Sequence, residues 1–91
     1  MGVMAQLISD KLTRAFRPSR LELLDDSGRH AGHAGADARG ESHFNLLIEA
    51  EAFHGLSRVA RQRAVYAVMK EELADQLHAL SVNALAPGEQ A

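Results

Sequence analysis

The stretch SHFNLLIEAEAFHGLSRVARQRAVYAVMKEELADQLHALSVNAL, Ser42 to Leu85, decides the fold. At its start Phe44, Leu46 and Ile48 alternate with His43, Asn45 and Glu49, the period-two pattern of a strand with one apolar face. At its end, in Leu77 to Leu85, His78, Leu80, Val82 and Ala84 fall on one face and Ala79, Ser81 and Asn83 on the other, a further strand. Between them Gly55 breaks the alternation and Ser57 is a good helix N-cap. Val59, Val65, Val68, Met69 and Leu73 then mark a helical stripe to about Asp75, with no internal Gly or Pro. The first turn or two reads equally well as a separate short helix. A helical crossover between these two strands predicts that they run parallel if they are neighbours.

Toward the N-terminus, Met4, Leu7, Ile8, Leu12, Ala15 and Phe16 recur at helical spacing, and Pro18 stops the run. Leu21 to Asp26 reads as a strand in which Leu21 and Leu23 share a face while Leu24 falls on the face of Glu22. Gly28 to Gly40, GRHAGHAGADARG, holds no bulky apolar residue and reads as a flexible loop, long enough to favour function or disorder over a passive connection. Pro87 and Gly88 release a short polar tail. The expectation is an α+β fold, αββααβ or αββαβ, with helices packed on one face of a three-stranded mixed sheet. One domain spans residues 1–86, and the tail is 87–91.

At 91 residues the chain is too small for a second domain or a deep enclosed pocket, so chemistry must sit on a surface or be shared with a partner. Ten Lys and Arg against twelve Asp and Glu give a net charge of −2, without the basic excess that drives nonspecific nucleic-acid binding. The absence of cysteine excludes a disulfide framework, a Cys-based zinc finger, a thiol nucleophile and an all-Cys iron–sulfur site made by this chain alone. No signal peptide or membrane-spanning run is found, and the Met1-Gly2 start lacks the Ser or Thr that myristoylation wants at position 6. The expected location is the cytoplasm.

Of the five histidines, His30 and His33 lie three apart in the glycine-rich loop, a fair metal signal weakened by the lack of a third nearby donor. Taken alone, His78 on an apolar strand face reads as a hydrogen-bonded residue at the core edge, and His43 and His54 read as structural or exposed. Arg58, Arg61, Arg63 and Lys70 form a modest basic cluster suited to phosphates or an acidic partner, or a solvated face balanced by Glu71, Glu72 and Asp75. Gly32-His33-Ala34-Gly35 matches the GXXG of KH domains in letters, but it joins two strands where KH recognition needs two helices. No nucleophile elbow, P-loop or HExxH motif occurs, so an autonomous enzyme is not expected.

Several segments in this order, DDSGRHAGHAG, GESHF, FHGLSRVARQRAVY, EEL and LHALSV, resemble the BolA family from about Leu7 to Ala86. The resemblance implies an αββααβ fold related to class II KH domains. It implies a monothiol glutaredoxin as partner, with a [2Fe-2S] cluster shared between the two chains and a bound glutathione, in iron–sulfur trafficking or iron sensing. For bacteria it also implies stress-responsive regulators that bind promoter DNA. Carried over by residue, the near-invariant ligand histidine falls on His78 and the loop ligand on His30, with His33 the competitor. The family's R-H-R is here Arg61-Gln62-Arg63, a departure that leaves both ligands untouched.

Two functions follow. In the first, the chain is a non-enzymatic adaptor, a monomer alone or a heterodimer with glutaredoxin, carrying no cluster by itself and completing a shared one through His78 and His30 or His33. In the second, it is a DNA-binding regulator using Arg58, Arg61 and Arg63. Zinc held by His30, His33 and a third donor ranks below both.

Overall fold

The computed structural model describes residues 2–25 and 43–90, so the glycine-rich segment with His30 and His33 lies outside the described residues. The elements are α1 (Val3–Phe16), β1 (Arg20–Asp25), β2 (His43–Glu49), a 3-10 turn at Glu51–Phe53, α2 (Arg58–Val68), α3 (Lys70–Leu73) and β3 (Ala79–Leu85). The order is αββααβ, an α+β fold as expected.

β2 is the central strand of the sheet, which runs β1-β2-β3. It pairs antiparallel with β1, from Arg20 opposite Glu49 to Asp25 opposite Phe44, and parallel with β3, from His43 opposite Ala79 to Glu49 opposite Leu85. The crossover through α2 and α3 makes the second pairing parallel, because a strand that re-enters after a helix starts again from the same end.

One sheet face is covered. Phe44, Leu46 and Ile48 of β2 and Leu80 of β3 are buried against Ile8 and Leu12 of α1, Phe53 of the 3-10 turn, Val65 of α2 and Met69. The other face carries Glu22, Leu24, Asn45, Leu47, Ser81 and Asn83, and Leu24 is 58% exposed beside Glu22.

Local chemistry sets the ends of the helices. Arg17 takes a left-handed conformation with φ 47°, and its N–H returns to Thr13 O; Pro18 then forbids another turn. Ser57 caps α2 by accepting from Ala60 N–H at 3.1 Å. Met69, at φ −97° and ψ 14°, separates α2 from α3, yet Leu73 N–H still reaches Met69 O at 3.0 Å. The break therefore falls late in the helical stripe, and its first turns belong to the continuous helix α2 and form no separate helix; the 3-10 turn precedes Gly55. Lys11 Nζ bonds both carboxylate oxygens of Glu72, at 3.0 and 3.1 Å, and ties α1 to α3.

Candidate functional site at the head of the parallel strands

His78 stands just before β3 rather than within it, and its side chain is exposed. The sequence pattern had placed it on the apolar strand face. Leu77 takes the buried role instead: its side chain is fully buried and its N–H donates to Glu72 O at 2.9 Å, closing the end of α3. With residue 77 anchored inward, residue 78 emerges at the surface where the chain turns into β3.

His43 meets it there. The two imidazoles contact edge to face, with ring centroids 5.7 Å apart and planes at 85°. The cause is topological: parallel neighbours begin at the same end of the sheet, so the first residue of β2 and the residue leading into β3 are brought side by side. Spacing in the sequence, 43 to 78, hides this completely. The signal was nevertheless present in the expected parallel crossover, since parallel neighbours with a histidine at or just before their first residue carry both histidines to the same end of the sheet.

The pair offers imidazole nitrogens and no thiolate. Among the described residues no group of three or more His, Cys, Asp or Glu is placed to hold a metal ion. Two imidazoles on one tetrahedral metal, each with nitrogen about 2.0–2.1 Å away, have centroids roughly 5 Å apart, a spacing close to the 5.7 Å of this pair.

The expected basic cluster divides. Arg58, Arg63 and Lys70 are exposed. Arg61 is engaged within the fold, where Nε donates to Leu56 O at 3.0 Å, Nη1 to Ala84 O at 3.0 Å, and both terminal nitrogens grip the Glu89 carboxylate. Its guanidinium is thus turned toward the protein, and the fork geometry explains why arginine serves here. Glu89 also accepts from Ala86 N–H at 2.9 Å, so the segment after Pro87 is tied down at Glu89 and does not simply trail away. The Arg61 hydrogen bonds, and then the Ala86 amide, hold the Glu89 carboxyl down at about 2. His54 lies apart from the His43–His78 pair, with its Nε2 at 3.2 Å from Glu51.

The sequence profile of the BolA-like protein family matches residues 12–89. The chain belongs to the BolA family. Among its relatives, a Sinorhizobium protein known as "Uncharacterized protein in cobS 5'region" is 48% identical, with 94% of each chain covered. The chain spans only 25% of the Arabidopsis thaliana SufE-like protein 1, at 43% identity. Solved structures agree: the BolA domain of SufE1 from Arabidopsis thaliana superposes with a TM-score of 0.87 at 42% identity over 99% of each chain. BolA1 from the same plant gives 0.84 at 34% identity over the whole of both. These relationships establish the family and the fold expected from the resemblance. No helix among the described residues is long and apolar enough to cross a membrane.

Proposed function

We propose that this BolA-like chain is a non-enzymatic adaptor that binds a monothiol glutaredoxin and completes a shared, glutathione-ligated [2Fe-2S] cluster. The observation that carries the proposal is the meeting of His78 and His43 at one exposed end of the sheet in a chain that has no cysteine. A [2Fe-2S] cluster takes four ligands, and histidine replaces cysteine at one iron in Rieske centres. An edge offering imidazoles alone fits the histidine half of such a set, and a partner's thiolate and glutathione supply the other half. His78 is the first ligand on this reading. For the second, His30 and His33 remain the family-based choices, and the geometry adds His43 as their competitor. On the same reading the chain works in the cytoplasm, in iron–sulfur trafficking or iron and stress regulation.

Mixing the full chain with a monothiol glutaredoxin, glutathione, iron and sulfide tests the proposal through visible absorption and circular dichroism. His78→Ala is expected to abolish the mixed-complex spectrum. Single His30→Ala, His33→Ala and His43→Ala variants then identify the second ligand as the one whose loss changes the spectrum most. Spectra of wild type and His78→Ala that superimpose overturn the proposal. Because the ligating form is neutral imidazole, protons compete with iron, and acidification releases the cluster.

A further inference from the structure

We infer that α2 guards the outer edge of β3, and that without this guard β3 pairs with β3 of a second copy of the chain. β3 is an edge strand. Its sequence, ALSVNAL from Ala79 to Leu85, has no charge and no proline, the composition that invites strand addition. An edge of this kind ordinarily carries a lysine, a proline or a bulge, and none is present here.

Backbone direction identifies which groups face outward. Leu85 O accepts from Ala50 N–H at 3.0 Å, so Leu85 points toward β2, as do Asn83, Ser81 and Ala79 by alternation. Leu80, Val82 and Ala84 therefore turn their backbone groups away from the sheet. Two of these three carbonyls are occupied from α2: Tyr66 Oη donates to Leu80 O at 2.9 Å, and Arg61 Nη1 donates to Ala84 O at 3.0 Å. The two caps sit one at each end of the edge, with Val82 midway between them. Glu89 holds the Arg61 guanidinium in place, so its side-chain carboxylate is part of the guard.

The blocked partner follows from the same register. An antiparallel pairing of two β3 strands about a two-fold axis at Val82 sets Leu80 opposite Ala84 of the other copy, and both are outward-facing residues able to exchange hydrogen bonds. Those are the two carbonyls that α2 occupies. On the open face the same register sets Ser81 opposite Asn83, a polar match, and no charges collide anywhere along the strand. The occupant that fits is thus a second copy of this chain, with the strand complementary to itself.

Sedimentation velocity on the full chain without iron tests the inference. Tyr66→Phe removes one hydroxyl and frees Leu80 O in each copy; self-association is expected to tighten about tenfold, the scale of one or two net hydrogen bonds. Arg61→Lys, which keeps the charge toward Glu89 but lacks the fork, is expected to act in the same direction. Adding Ser81→Lys to either variant places like charges near the two-fold axis on the open face and should restore the monomer. Variants with native circular dichroism that sediment like wild type overturn the inference, and so does association that Ser81→Lys leaves unchanged. Neither result bears on the adaptor reading, which rests on the histidines.

Discussion

Leu77→Ala separates the packing that positions His78 from the chemistry His78 performs. Leu77 is fully buried and precedes the exposed histidine by one residue, so the two side chains divide structural and functional work between neighbouring positions. Truncating a fully buried leucine loses the transfer energy of the deleted atoms, about 1.5–3 kcal/mol for a whole side chain. The cavity left behind adds to this, and the total is about 2–5 kcal/mol. A domain of this size is stable by roughly 5–15 kcal/mol, so the loss is a large fraction of the whole. At about 4–8 °C per kcal/mol, the melting temperature falls by at least about 8 °C. His78→Ala, by contrast, removes an exposed side chain and stays within about 0.5 kcal/mol of wild type. Urea and thermal melts followed by far-ultraviolet circular dichroism measure both. A Leu77→Ala loss below about 1 kcal/mol would refute the reasoning, as would a His78→Ala variant that melts as early as Leu77→Ala.

Other expectations concern the supporting contacts. The Glu89 carboxyl is held at about 2 in the fold against an ordinary 4.5, so its stabilising contribution is complete above 4.5 and disappears as pH falls toward 2. Glu89→Gln is therefore expected to lower the melting temperature near neutrality and to converge on wild type near pH 2; parallel curves across that window would contradict the assignment. Ser57→Ala removes the cap of α2 and costs about 1 kcal/mol by urea denaturation. Phe53→Ala empties a fully buried ring position that packs against Phe16 at 5.1 Å, with an expected loss of about 3–5 kcal/mol in the same assay.

Elements whose apolar residues repeat regularly were legible in the sequence: α1, β1, β2, α2 and β3 and the parallel crossover all follow from periodicity and breakers. Burial on one face is a local property of a helix or strand, and the order of apolar residues along the chain reveals it. The family was legible too, because its motifs are contiguous stretches of the chain. Tertiary structure decided what periodicity could not: which of two adjacent residues, Leu77 or His78, turns inward at an irregular junction, since strand alternation does not extend beyond the ladder. It also decided that Arg61 serves the fold, because its partners, Leu56, Ala84 and Glu89, converge on it only when β3 is laid beside α2. The meeting of His43 and His78 belongs to the same class, since neighbours in space joined through a crossover leave no trace in the spacing along the chain.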